Sequence, residues 1–200
     1  MIKILKMNEA AAEKIFDRGQ SETAAQVEAA VADILKNVRL RGDEAVIKYT
    51  EKFDGVRVEC LRTDEEEIER AYALAEPFFI ESLEKAAKNI SEFHSRQKRE
   101  GFQFSGDEGT ILGQRVFPLE TVGIYVPGGT ARYPSTVLMN AIPAKIAGVE
   151  RIVMVTPPGK DGNIPVDILA AAKIAGVTDI YKTGGAQAVA ALAYGTQTIP

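Results

Sequence analysis

The chain has 200 residues, 46% hydrophobic and 26% charged, an ordinary balance for a globular protein that can bury a core. Its net charge of −4 and pI near 5.2 argue against nucleic-acid binding, which needs a clustered basic surface. No apolar run reaches the ~18 residues of a membrane span, and the N-terminus is not typical of a signal peptide. A single cysteine, Cys60, excludes an internal disulfide. We therefore expect a cytoplasmic protein that binds neither nucleic acid nor membrane.

Charge divides the chain near residue 115. Residues 1–115 hold 18 Lys/Arg and 23 Asp/Glu, whereas residues 116–200 hold only 6 and 5. Many charges are typical of solvated helices, and few are typical of elements buried on more than one side. We predict a mainly helical N-terminal region over 1–115 and a nucleotide-binding region over 116–200.

Apolar residues at helical spacing predict four helices in the first region. Asp43 is a candidate N-cap for the second helix, which Gly55 would end. Thr63 and Glu66 have the spacing of a capping box for the third helix, and Pro77 suits the first turn of the fourth. The stripe of the first helix consists of Val27, Ala30, Val31, Ile34, Leu35 and Val38.

The second region alternates strands and helices. Predicted strands begin at residues 122, 151 and 179, a spacing of 29 and 28 residues that suits βαβ units. Residues 111–119 suggest a further extended segment, and Pro143 predicts a kink or break in the helix that contains it. The predicted fold is α/β, with an N-terminal helical region followed by an incomplete Rossmann-like parallel sheet. A sheet of three strands leaves an unpaired edge, so we expect self-association.

Side chains that could bind metal or move protons are few. One histidine and one cysteine, His94 and Cys60, cannot form an autonomous zinc site. His94 has no partner placed beside it by the sequence, so a structural role is favoured over that of a general base. The consecutive carboxylates Glu65, Glu66 and Glu67 would fan around a helix start as solvated surface. We assign no catalytic residue and no metal ligand.

Glycines follow the first and third predicted strands, in Pro127-Gly128-Gly129 and in Gly184-Gly185. In open α/β sheets ligands bind beyond the carboxyl ends of strands, and glycine lets backbone approach a ligand closely. However, neither a G-x-G-x-x-G fingerprint nor a P-loop is present. The spacing of these glycines alone does not distinguish a ligand-binding site from a tight turn that binds nothing.

Two strings resemble the histidinol dehydrogenase family: VGIYVPGGTARYPSTVLMNAIPAKIAGV at 122–149 and IYKTGGAQAVAALAYGT at 180–196. Weaker matches are RGDEA at 41–45, KFDG at 52–55 and the pair Phe93-His94. The resemblance implies an NAD-dependent, zinc-requiring enzyme of histidine biosynthesis. Such an enzyme oxidises L-histidinol to L-histidine via L-histidinal, usually as a homodimer.

The resemblance also implies roles for particular residues. Tyr125 and Gln187 match family residues that contact NAD, and Gly128 and Gly129 would shape the walls of that site. The family's zinc ligands and catalytic His–Glu pair would lie beyond Pro200. We therefore expect the N-terminal portion of the enzyme, inactive by itself.

Two alternatives remain. The chain could be a non-catalytic folding or dimerisation module, with no activity of its own. An aldehyde-dehydrogenase-like protein would need a reactive cysteine, and Cys60 lies in the charged helical region without a suitable context.

Overall fold

The structure, a computed structural model, describes residues 22–128 and 132–200. The chain divides into two compact units, 1–33 and 34–200. The described part of the first unit is the start of a single helix. The helices are α1 (Glu22–Arg41), α2 (Asp43–Asp54), α3 (Glu65–Leu74), α4 (Pro77–Ser95), α5 (Pro134–Ala147), α6 (Val166–Ala175) and α7 (Gly185–Tyr194). The strands are β1 (Phe102–Ser105), β2 (Ile111–Gln114), β3 (Thr121–Tyr125), β4 (Arg151–Thr156) and β5 (Asp179–Lys182). No helix in the described ranges is long and apolar enough to cross a bilayer.

Three strands form a parallel sheet in the order β3-β4-β5, which confirms the predicted α/β class. The central strand β4 is buried along five of its six residues. Its side chains alternate between two apolar clusters, with Ile152 and Met154 in one and Val153 and Val155 in the other. Both faces of the central strand are therefore covered, which explains why β4 is an almost continuous apolar run.

Helices cover the two faces in different groups within residues 34–200. On one face α3, α4, α5 and α6 contribute to the cluster that contains Ile124, Met154 and Ile180. On the other face the C-terminal half of α1, together with α2 and α7, contributes to the cluster that contains Val155 and Tyr181. Within residues 34–200 the helices are thus not a separate bundle, because their apolar residues pack on the parallel sheet. The stripe of α1 is buried at Ile34 and Val38, whereas Val27 is 58% exposed.

A β-hairpin lies where the sequence predicted only one extended segment. β1 and β2 pair antiparallel around a short 3-10 turn at Asp107–Gly109. The predicted segment 111–119 is a strand only as far as Gln114. The rest is irregular, and Pro118 within it cannot donate to a ladder. β1 was missed because a strand of four residues is too short to show a period.

Three predicted local features are wrong. Asp43 is not the N-cap of α2 but its first residue, and Gly42 is at the cap position. Asp64, not Thr63, caps α3: its Oδ1 accepts a hydrogen bond from the Glu67 N–H at 2.6 Å. Of the kink or break expected at Pro143, the break is absent, since α5 continues through it to Ala147. Only one helical hydrogen bond is lost there, and Met139, whose carbonyl loses the donor, is 51% exposed and open to water.

The outer edge of β5 is also not bare, which corrects part of the predicted unpaired edge. The Thr63 N–H donates to the carbonyl of Ile180 at 2.9 Å, and the Lys182 N–H donates to the carbonyl of Leu61 at 2.7 Å. The segment before α3 therefore acts as a short antiparallel cover, and this pairing explains why Thr63 is not a cap. The outer edge of β3 has no strand partner among the described residues.

Asp179 holds this cover in place at the start of β5. Its carboxylate accepts hydrogen bonds from Arg62 Nη2 at 3.0 Å and from Arg151 Nε at 2.7 Å, and only 14% of its side chain is exposed. We expect Asp179→Asn to lower the free energy of unfolding by about 1–2 kcal/mol, because two charge-assisted bonds weaken. Urea denaturation measures the loss. Glu92→Gln is the control, since the Glu92–Arg96 pair is exposed on both sides and such pairs contribute ~0.3–0.5 kcal/mol. Equal losses in the two variants would contradict this role.

Candidate functional site: the carboxyl ends of the sheet

Three turns meet where the parallel strands end. Pairing continues past β3, since the Val126 N–H donates to the carbonyl of Val155 at 2.9 Å. Beyond it come Pro127-Gly128 after β3, Pro157-Pro158 after β4, and Gly184 after β5. Parallel strands point their carboxyl ends to one side, so the two glycine turns predicted from the sequence flank the turn of the central strand.

Pro157 fills the space between the two glycine turns. A Cβ atom placed on Gly128 would lie 2.8 Å from Cγ of Pro157, and one placed on Gly184 would lie 2.8 Å from its Cβ. Neither position accepts a side chain without moving a rigid ring. These glycines are needed for close approach of backbone to Pro157, whose role the sequence did not reveal. The only signal in the sequence was that Pro157 also follows a strand directly.

Tyr125 links β3 to the start of α7. The Gly185 N–H, one of the free donors at a helix N-terminus, donates to Tyr125 Oη at 3.1 Å. The side chain is not the buried strand residue of the simplest interpretation, since Tyr125 is 37% exposed. Its hydroxyl occupies a donor of the kind that binds anionic ligands, while part of the residue faces solvent.

Gln187 lies in the first turn of α7 and is only 1% exposed. Neither its Oε1 nor its Nε2 has a hydrogen-bond partner among the described residues. Oε1 lies 2.8 Å from where a Cβ of Gly185 would be, so the missing side chain of Gly185 leaves room for the carboxamide. A buried amide without partners costs about 1–3 kcal/mol. Thr156 Oγ1, at the end of β4, is likewise buried and unpartnered.

The other predicted residues lie elsewhere or outside the described part. Gly129 falls in the undescribed segment 129–131. His94 is half-buried at the end of α4, and its Nδ1 hydrogen-bonds Oε1 of Gln97 at 2.7 Å. Cys60 is exposed. The interpretation of Glu67 as solvated surface is wrong, because Glu67 Oε1 accepts from the buried Lys182 Nζ at 2.8 Å.

Metal-binding side chains do not converge in the part of the chain that the structure covers. Within it no three His, Cys, Asp or Glu side chains group in a way that could hold a metal ion. The residues present therefore do not fit zinc, which needs three or four such ligands.

A cleft of about 980 Å³ lies beside the three turns, on the side of α3 and α6. Pro157 is part of its wall. Asp161 lies in the turn that lines it, where hydrogen bonds from the backbone N–H and side chain of Asn163 hold the pKa of the carboxyl below its usual value. The cleft is not selective for one sign of charge, because its lining carries equal numbers of acidic and basic residues: Asp64, Glu67, Asp161, Arg70, Arg132 and Lys160.

The fold is that of an α/β protein in which two glycine turns lie at the carboxyl ends of a parallel sheet. The family model described as histidinol dehydrogenase matches residues 17–200. The chain belongs to the histidinol dehydrogenase family.

Relatives and a solved structure agree with this family. The chain is 59% identical over 170 residues to a histidinol dehydrogenase of Geobacillus kaustophilus, covering 85% of this chain and 40% of that protein. It is 50% identical over 192 residues to one of Listeria innocua, covering 96% and 45%. The crystal structure of histidinol dehydrogenase from Elizabethkingia anophelis superposes with a TM-score of 0.86 at 36% identity, covering 97% of this chain and 45% of that one. The chain thus spans less than half the length of the relatives it matches, consistent with an N-terminal portion.

Proposed function

We propose that this chain is the N-terminal portion of an NAD-dependent, zinc-requiring histidinol dehydrogenase and that it supplies one wall of the NAD site. The observation that carries the proposal is the convergence of Tyr125, the Gly185 N–H and the unpartnered carboxamide of Gln187 at the carboxyl ends of the sheet. When bound, NAD accepts a hydride in each of two oxidations, from L-histidinol to L-histidinal and then to L-histidine. The whole enzyme would work as a cytoplasmic homodimer.

The residues of this wall would contribute to cofactor binding in different ways. The ring of Tyr125 offers a partly exposed aromatic face, against which a planar ring of the ligand can stack. Gly128 and Gly184 let the turns after β3 and β5 approach the ring of Pro157 closely. The carboxamide of Gln187 supplies both a donor and an acceptor. These groups position and orient; none moves a proton, and the zinc ligands and the base would come from outside this chain.

Titration with NAD tests the cofactor wall. We expect weak saturable binding and a rise in Kd of at least about tenfold for Tyr125→Ala, because an aromatic stack contributes roughly 1–3 kcal/mol. Tyr125→Phe should keep most of the affinity, since the ring remains. Calorimetry measures the binding, and Tyr194→Ala is the control, because Tyr194 is similarly exposed at the other end of α7.

Two outcomes would argue against the proposal. No binding of NAD to the unaltered chain would favour the alternative, a folding or dimerisation module. Histidinol-dependent NADH formation by the purified 200-residue chain would show that the zinc site and the base are not missing. We expect no such turnover.

A further inference from the structure

Helix α2 ends beside the carboxyl ends of the parallel sheet. Thr50 Oγ1 lies 3.0 Å from Oγ1 of Thr183, the first residue after β5, and both side chains are buried. At the start of α2 the Asp43 N–H donates to Oε1 of Gln197, in the segment that follows α7. Since α7 leads away from the carboxyl end of β5, α2 runs in the direction of the strands. Asp54, its last residue, lies one turn beyond Thr50, about 5 Å farther along the axis.

The chain that leaves α2 passes the turn that follows β4. Cγ2 of Val56 lies 3.6 Å from the position that a Cβ of Gly162 would take, and Gly162 belongs to that turn. Asp54 therefore lies between Thr50, which contacts the residue after β5, and Val56, which packs beside the turn after β4. This position is at the same end of the sheet as Tyr125 and Gln187, the predicted cofactor residues.

The carboxylate of Asp54 is in an unfavourable environment. Its Oδ2 is shielded from solvent and has no hydrogen-bond partner among the described residues. Burial raises the pKa of this carboxyl above its usual value. The carboxyl-terminal end of a helix also disfavours a negative charge. Within the described ranges nothing compensates this carboxylate, so it suits a hydrogen-bond donor on a ligand.

A second carboxylate near this end of the sheet is already used by the fold. Asp161 Oδ1 accepts from the Asn163 N–H at 3.2 Å, and Asp161 Oδ2 accepts from Asn163 Nδ2 at 3.3 Å. These bonds close the turn after β4. No other acidic residue stands between the end of β4 and Asp161. Asp54 is thus the carboxylate with a free acceptor beside these turns.

We propose that Asp54 binds the vicinal hydroxyls of the adenosine ribose of NAD and makes the site select NAD over NADP. A carboxylate only accepts hydrogen bonds, and a ribose diol offers two O–H donors. In dinucleotide-binding sheets an acidic residue takes the ribose 2′-hydroxyl in this way. The 2′-phosphate of NADP removes one donor and places a negative charge against the carboxylate. This inference rests on the proposed function, the binding of NAD at the carboxyl ends of the sheet.

Calorimetric titration of the 200-residue chain with NAD and with NADP tests the role of Asp54. Asp54→Asn should raise the Kd for NAD at least about tenfold, because charge-assisted hydrogen bonds become neutral ones. The Kd for NADP should not rise, so the preference for NAD narrows by at least about tenfold. Glu51→Gln is the matched control, since Glu51 lies on the same helix and is exposed, and both Kd values should stay unchanged.

Urea denaturation of Asp54→Asn separates ligand binding from a structural role. We expect an unchanged or higher stability, because the variant loses a buried charge that has no partner among the described residues. A variant that is destabilised or fails to fold would overturn the proposal, since the carboxylate would then support the fold.

Three binding results would also overturn the proposal. If Tyr125→Ala weakens NAD binding and Asp54→Asn does not, the cofactor wall stands and the role of Asp54 is wrong. Equal weakening of NAD and NADP in Asp54→Asn would mean that the carboxylate acts on another part of the cofactor. No binding of NAD to the unaltered chain would overturn both this inference and the proposed function.

Discussion

Replacement of Gln187 by leucine is expected to stabilise the chain and weaken its binding of NAD at the same time. The carboxamide is buried and lacks a partner among the described residues, so the folded state bears its desolvation cost. Leucine is close in volume and has no polar atoms. We expect the free energy of unfolding to rise by about 1–2 kcal/mol and the Kd for NAD to rise at least about tenfold.

Urea denaturation and calorimetric titration measure the two effects. Gln103→Leu is the matched control, since Gln103 is exposed on the hairpin and both quantities should stay nearly unchanged. Opposite signs for stability and binding distinguish a ligand-directed amide from a structural one. A loss of stability in Gln187→Leu with unaltered affinity would show that the carboxamide supports the fold instead.

Gly184→Ala is expected to destabilise the turn after β5. The added Cβ would lie 2.8, 2.9 and 3.1 Å from Cβ, Cγ and Cδ of Pro157, and a proline ring cannot rotate away. The φ of Gly184 is −128°, which any residue adopts, so the effect is steric and not a matter of backbone strain. Overpacking of this kind costs typically 1–3 kcal/mol, and we expect a loss of about 2–3 kcal/mol.

Gly106→Ala is the control for Gly184→Ala. Gly106 has a φ of −90°, and a Cβ there would lie 3.7 Å from its nearest neighbour, an ordinary contact. Thermal unfolding compares the two variants, and NAD titration of Gly184→Ala shows whether the altered turn still binds the cofactor. A stability within about 0.5 kcal/mol of the parent would mean that the turn after β5 relaxes freely around Pro157.

Periodicity and spacing predicted the central architecture well. The predicted strand starts at 122, 151 and 179 correspond to β3, β4 and β5, which begin at Thr121, Arg151 and Asp179. β4 was recognisable as a run of apolar residues because it is buried on both faces, and β3 and β5 were recognisable from short apolar stretches that end in glycine turns. Of the two hairpin strands, β2 lies within the predicted extended segment 111–119, whereas β1, which is exposed along its whole length, was missed.

Individual residues of the candidate site could be predicted from the sequence, but the contacts between them could not. The glycine turns and Tyr125 could be identified from the strings that they share with the family. Nothing local indicated that Pro157 lies between Gly128 and Gly184, or that Gln187 is buried without a partner. Both features arise because the sheet places residues about thirty positions apart in one turn cluster.

The amino-acid sequence by itself determined the α/β class, the parallel sheet and the family, because these follow from apolar spacing, from glycines after strands and from two long shared strings. Only the tertiary structure decided which groups have no partner among the described residues: the carboxamide of Gln187, the edge of β3 and the apolar face of the hairpin. The physical reason is that satisfaction of a polar group or an apolar face depends on neighbours distant in sequence, as Thr63 shows by pairing with β5 instead of capping α3.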